Sequence, residues 1–316
     1  MESKIIKLKN NTEFYYKKNE NTPRVALCLN FSIEEPEKGA GIQALMARLF
    51  MQGTKTRSAQ QLAEELDAYA IEFSSELKQD YLSFRFVCLN EDFSKALEIM
   101  TDIIKNSTFD DFEKELAKMT GEIVAELDSP RGKVSDAYYK TMFENHHYGN
   151  TYTKILENAE NIKKQDVLDA YNSILNDSRK ILAFVGDLDI EEILPQIEEK
   201  LGTLPVSAVE KSVKDIPFLN EKKVAEIIKP DANQAHILQG WIVPTFLSED
   251  YPALILLNII LGASGLSSRL FLELRDKKGL AYVVRSSFEA FDLCGSFSIY
   301  IATEPKNIDC LLYTSD

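Results

Sequence analysis

The chain of 316 residues has only four cysteines, Cys28, Cys88, Cys294 and Cys310, and no two of them form a CxxC unit. That spacing offers neither a dithiol redox motif nor a zinc knuckle. Cys28, Cys88 and Cys294 lie in or beside strand-like segments and read as small buried hydrophobes in a reducing compartment. Long apolar runs are missing as well. There is no apolar N-terminal signal segment, and no stretch of about 18 apolar residues that would span a bilayer, so the cytoplasm is the expected compartment. Basic excess is absent: 36 Lys and Arg stand against 50 Asp and Glu, a net charge of −14. Neither nucleic acid nor an anionic membrane is the expected partner of such a surface, whereas a basic or mixed peptide fits it. What is present is ordinary for a globular protein, 45% apolar and 27% charged residues, with length for one very large domain or two of usual size.

Periodicity organises the chain around residues 41–54, GIQALMARLFMQGT. Ile42, Leu45, Met46, Leu49 and Phe50 recur at helical spacing and predict one core-facing stripe. Gly41 loosens the start of this helix, and Gly53 stands where a left-handed C-terminal cap is expected. A second face carries Ala44, Ala47 and Arg48, again at i, i+3 and i+4.

Before this helix, strands are predicted at 4–8, 13–17 and 24–32. After it, Ser58 and Gln61 form a capping box for a helix with Leu62, Leu66 and Tyr69. Strands follow at 70–77 and 80–89, then a helix with Phe93, Ala96, Leu97, Met100, Ile103 and Ile104 on its stripe. A longer helix carries Phe112, Leu116, Met119, Ile123 and Leu127 and stops near Ser129-Pro130. Helices at 138–145, 164–175 and 190–201 and a strand at 180–186 finish the first unit. Beyond a linker, strands are predicted at 223–229, 234–243, 280–289 and 295–303, and helices at 250–261 and 266–276.

The order strand, helix, helix, strand, strand, start of helix runs over 25–104 and returns over 235–312. This predicts an α+β protein of two homologous domains, each a mainly antiparallel sheet with helices on one face. The expected boundaries are 1–202, a linker at 203–223, and 224–316. The second copy lacks a counterpart to 110–201, and the tail 310–316 breaks the amphipathic pattern. On that reading the chain is a fragment with a foreign terminus, and its second sheet has an unfinished edge; the alternative is a shorter natural domain.

The helix at 41–54 resembles that of the inverzincin metallopeptidases, the pitrilysin, insulysin and mitochondrial processing peptidase family, where H-x-x-E-H lies between a Gly and a closing Gly-Thr. The resemblance extends to FEKELAKMTGEIVAELDSP, the helix of the family's third zinc ligand, and to ILAFVGDLD. In that family the two histidines and a later Glu hold zinc, and the Glu of the motif activates water. Here Ala44, Ala47 and Arg48 occupy the motif, and Glu122 falls at the later ligand position. Alanine has no donor atom and a guanidinium repels a divalent cation, so one carboxylate is left and no catalytic metal is expected on this chain.

Residues 261–287, LGASGLSSRLFLELRDKKGLAYVVRSS, resemble the family's C-terminal-half motif, in which an Arg seven residues before a Tyr reaches the active site. Arg275 and Tyr282 match it, with Gly279 at the turn between helix and strand. The resemblance implies that this pair holds the substrate backbone and stabilises the oxyanion opposite the zinc. The alternative is that Arg275 caps a helix and Tyr282 fills a strand face.

Other constellations are weaker. Gly262 and Gly265 lack the Lys and the preceding strand of a phosphate loop and read as a helix–helix connection. Adjacent His146 and His147 cannot share a helix face, and His236 reads as structural. Ser264, Ser267 and Ser268 have no His–Asp partners.

The resemblance implies a zinc-lacking subunit of a heterodimeric zinc metalloendopeptidase, with zinc, water and general base on a homologous partner and a peptide as substrate. The alternative is a structural or peptide-binding member of the same family with no catalytic partnership.

Overall fold

The computed structural model describes residues 3–33, 38–208, 221–230 and 232–313. In chain order the first elements are β1 (Lys4–Lys7), β2 (Glu13–Lys18), β3 (Arg24–Ser32), α1 (Ile42–Leu49), α2 (Ala59–Ala68), β4 (Glu72–Leu77), β5 (Tyr81–Leu89) and α3 (Phe93–Asn106). Then come α4 (Phe112–Asp128), α5 (Pro130–Met142), α6 (Tyr152–Asn158), α7 (Lys164–Asp177), β6 (Lys180–Gly186) and α8 (Ile190–Lys200). The last are β7 (Ala235–Val243), α9 (Tyr251–Asn258), β8 (Val283–Ala290), β9 (Gly295–Thr303) and α10 (Ile308–Tyr313). By compactness the chain divides into one unit of Met1–Gly121 with Ile155–Ser212 and another of Glu122–Lys154 with Val213–Asp316.

Alternation builds the first sheet. Val25, Leu27, Leu29 and Phe31 of β3 are buried, as are Leu82, Phe84, Phe86 and Cys88 of β5, and register sets Leu27 opposite Phe86 and Leu29 opposite Phe84. The sheet has six strands in the order β1-β2-β6-β3-β5-β4, antiparallel except for the parallel pair β2–β6. The apolar stripes of α1 and α3 are buried in the same unit.

The second sheet repeats the scheme with three antiparallel strands in the order β7-β9-β8, matching β3-β5-β4. Where β3 has β6 on its other side, β7 pairs only with β9 among the described residues. The fold is α+β with two related sheets.

Several boundaries differ from the sequence reading. No strand forms at 223–229: Val224 and Ile228 are 77% and 79% exposed, and no strand pairs with this segment among the described residues. The second-half helices are not regular. Residues 250–261 turn from α to π geometry at Ile259–Ala263, and 266–276 become a 3-10 turn, Gly265–Ser267, and a π segment, Phe271–Lys277. The helix predicted from 138 starts at Pro130, because Ser129 Oγ accepts the Gly132 N–H and proline at the first position lacks only a donor the helix does not use. Gly53 is no left-handed cap: α1 gives way to a 3-10 turn, and Gly53 takes φ 122°, ψ 161°. Residues 209–220 of the linker and 314–316 of the tail lie outside the described residues. Among the described residues no helix is long and apolar enough to cross a membrane.

Candidate functional site

Helix α1 is fixed from both ends. Gly41 precedes it at φ 94°, and an added Cβ would stand 2.7 Å from Ile155 Cγ2. At the other end the Phe50 ring meets Phe84 and Phe109 edge-on, with centroids 4.8 and 5.5 Å apart. The loop that follows is held by Asp102, whose Oδ2 accepts from Thr54 Oγ1 at 2.7 Å and pairs with Arg57 at 2.8 Å. On the motif face Ala47 is buried and its carbonyl accepts from Ser75 Oγ of β4 at 3.0 Å, while Ala44 is half-buried.

Arg48 points its charge at α4. Its Nε lies 3.5 Å from Oε2 of Glu115, a carboxylate with only 4% of its side chain exposed. Glu115 was not singled out from the sequence, although it sits at i+3 from Phe112 and i−4 from Met119, inside the buried stripe of α4. A carboxylate on an apolar stripe requires a counter-charge, and that was the legible signal. Glu122 is exposed and lies seven residues on, two turns along the same helix.

These residues do not fit a catalytic zinc. Two alanines contribute no donor, and the guanidinium of Arg48 is engaged with a buried carboxylate where a ligand would be needed. Among the described residues no group of three or more His, Cys, Asp or Glu is placed to hold a metal ion.

In the second unit, Arg275 lies on the π segment and is exposed. Its guanidinium stacks on Phe271, 4.9 Å from the ring centroid, and it forms no ion pair among the described residues. Gly279, at φ 62°, turns the chain back, with Gly279 N–H donating to Arg275 O and Leu280 N–H to Leu274 O. Tyr282 comes just before β8, its N–H bonded to Ala302 O at 2.8 Å. The phenol is 49% exposed and donates to Glu304 Oε1 at 3.1 Å. That bond, with the carboxylate's charge, raises the Tyr282 pKa. No hydrogen bond joins Arg275 to Tyr282 among the described residues.

The remaining candidates are structural in their surroundings. His146 Nδ1 accepts from Tyr148 N–H at 3.2 Å beside a buried Tyr148, and His236 Nδ1 is 2.7 Å from Tyr300 Oη. Gly262 is a packing glycine: a Cβ there would meet Ser286 N at 2.2 Å. Burial pushes the Cys88 thiol up to about 12, away from thiolate chemistry.

Two family models match the chain, one described as Insulinase (Peptidase family M16) over residues 14–154 and one as Peptidase M16 inactive domain over 161–314. The chain belongs to the insulinase family of peptidases. An uncharacterized zinc protease of Mycobacterium leprae is 27% identical over 278 residues, covering 87% of this chain and 62% of that protein. This insulinase-family chain thus spans less than two thirds of that relative's length. Two solved structures share the fold at low identity. A peptidase M16 inactive domain from Pseudomonas fluorescens gives a TM-score of 0.88 at 18% identity, covering 99% of this chain and 77% of that one. A chain of complex III from Candida albicans gives 0.74 at 17%, covering 96% and 72%.

Proposed function

We propose that this chain is the zinc-lacking subunit of a heterodimeric zinc metalloendopeptidase, lending Arg275 and Tyr282 to a site whose zinc, water and general base belong to a homologous partner. The observation that carries this reading is the contrast between two motifs. The helix of the zinc motif is kept with Ala44, Ala47 and Arg48 in place of its ligands, while Arg275 is an exposed cation with no ion pair among the described residues. Glu122 stands at the position of the third ligand without the other two. In such a site Arg275 and Tyr282 hold the peptide backbone and donate to the oxygen that becomes negative as the peptide carbonyl is attacked.

A non-catalytic structural or peptide-binding role is the second reading. It is favoured by Glu304, which already occupies the Tyr282 phenol, and by the fold shared with a chain of complex III.

Reconstitution tests both. Mixed with a homologous chain carrying an intact H-x-x-E-H helix, this chain is expected to yield an active peptidase that neither chain yields alone, with zinc only on the partner. Zinc bound stoichiometrically by this chain alone, or activity of the partner that this chain does not change, would overturn the proposal.

A further inference from the structure

In a chain of net charge −14, none of the four arginines of the second unit, Arg131, Arg269, Arg275 and Arg285, forms an ion pair among the described residues, and two of them lie by one sheet face. These are Arg131, in the first turn of α5, and Arg285, on β8. Register sets Arg285 opposite Tyr300 of β9, and Tyr300 opposite Leu238 of β7. His236, two residues before Leu238, shares that face. The Arg285 guanidinium lies over the Tyr300 ring, 5.4 Å from its centroid, and the Tyr300 hydroxyl is 2.7 Å from His236 Nδ1. Arg285 Nε is buried with no hydrogen-bond partner among the described residues, a vacancy that costs stability in an otherwise well-bonded strand.

Helix α5 crosses this face. Tyr138 Oη is 2.9 Å from Ser296 Oγ, and Tyr139 bonds Glu289, the residue opposite Ser296. Going back from Tyr138 to Arg131 climbs about 10 Å of helix, and going from Ser296 to Tyr300 covers about 13 Å of strand. The two runs are of similar length, and Arg131 is near enough for its charge to act on both Arg285 and Tyr300. Burial lowers the Arg285 pKa first, and the neighbouring charge of Arg131 lowers it further. The N-terminal end of the helix dipole adds positive potential at the same place.

We propose that Arg285, Arg131 and the Tyr300–His236 pair form a binding site for an oxyanion, a phosphate or carboxylate group, on the face of the second sheet crossed by α5. Two like charges held together favour an anion between them, and guanidinium forks fit planar or tetrahedral oxyanions. With the proton on Nδ1, His236 donates to the Tyr300 oxygen and leaves the phenol hydrogen for the anion. None of these residues belongs to the Arg275–Tyr282 pair, so the site stands independently of the proposed peptidase role.

The test follows the arginine Nε–Hε signals of the isotope-labelled chain by NMR. It is titrated at constant ionic strength with inorganic phosphate, with an acetylated tetrapeptide bearing a free C-terminal carboxylate, and with the same peptide amidated. A saturable downfield shift of the Arg285 signal, identified by its loss in Arg285→Lys, is expected with at least one anion and not with the amide. Saturation by phosphate alone assigns a phosphate ligand, and saturation by the carboxylate peptide alone assigns a peptide terminus. Arg131→Gln, at an exposed position, is expected to weaken binding about tenfold or more. No saturable shift with either anion, or unchanged affinity in folded Arg131→Gln, would overturn the proposal.

Discussion

Single residues set the electrostatics between α1 and α4. Arg48 neutralises a nearly buried Glu115, so removing the cation leaves a carboxylate without its counter-charge. Arg48→Met is expected to destabilise the first unit by the lower end of about 3–5 kcal/mol, since Arg48 itself is partly in water. Arg48→Met with Glu115→Leu is expected to recover most of that loss, measured by urea unfolding of both variants. Lys180 presents the opposite case. It is fully buried at the start of β6, with Nζ donating to Ser178 O and lying 5.8 Å from the Phe31 ring centroid. Burial lowers its pKa from 10.5 to about 8. Between those values the unfolded chain binds the proton and the folded chain does not, so stability rises with pH across that window. Lys180→Met is therefore expected to stabilise the protein below pH 8, by an amount on the order of 1–3 kcal/mol. That gain should shrink as the pH approaches 10.5, a trend that unfolding curves at pH 7 and above would reveal.

At the scale of elements, local chemistry and partner availability separate what was legible from what was not. The capping box at α2 is formed in both directions, with Gln61 N–H donating to Ser58 Oγ at 3.2 Å and Ser58 N–H to Gln61 Oε1 at 2.9 Å. Ser58→Ala is expected to cost about 1 kcal/mol, read as a lower urea midpoint at unchanged slope. Caps of this kind, the stripes of α1 and α3 and the alternation in β3 and β5 are written in the sequence because each depends on neighbours a few residues away. The likeness of the second sheet's order to part of the first follows from the repeated order of elements. Residues 223–229 are as apolar as β1, yet they form no strand, because no strand pairs with them among the described residues. Nothing local announced the π geometry of Ile259–Ala263 or Phe271–Lys277, where the backbone bonds close a wider turn than the α-helix. Of the candidate site residues, the shared helix face of Ala44, Ala47 and Arg48 was plain from its i, i+3, i+4 spacing. Glu115 is the polar break in the α4 stripe between Phe112 and Met119, and its pairing with Arg48 depends on how α1 and α4 pack, which no local spacing encodes. Glu304 could not be foreseen as the partner of Tyr282, since only the pairing of β8 with β9 brings it there.

For the whole molecule, the question is whether Tyr282 acts on substrate or only on Glu304. In the reconstituted heterodimer an oxyanion donor contributes in the transition state and little in the ground state, so Tyr282→Phe should lower single-turnover cleavage more than it weakens peptide binding. Losing one such donor typically lowers the rate about 10²–10³-fold. Glu304 competes for the same phenol hydrogen, so Glu304→Ala is expected to leave turnover unchanged or to raise it. The two substitutions also differ in their pH behaviour. The bond to Glu304 raises the Tyr282 pKa, which keeps the phenol protonated, and therefore a donor, to higher pH than a free tyrosine. The alkaline limb of the rate profile should consequently lie above the ordinary phenol range in the unaltered heterodimer and fall toward it in Glu304→Ala. Heterodimer formation is checked first by size-exclusion chromatography, and peptide affinity is measured on a partner whose general-base Glu is replaced. Arg275→Lys serves as the companion variant: a point-like ammonium cannot reproduce the planar fork, so only partial activity is expected. If assembled Tyr282→Phe cleaves at the unaltered rate and Glu304→Ala leaves the alkaline limb in place, the phenol is a strand-end structural group and the non-catalytic reading prevails.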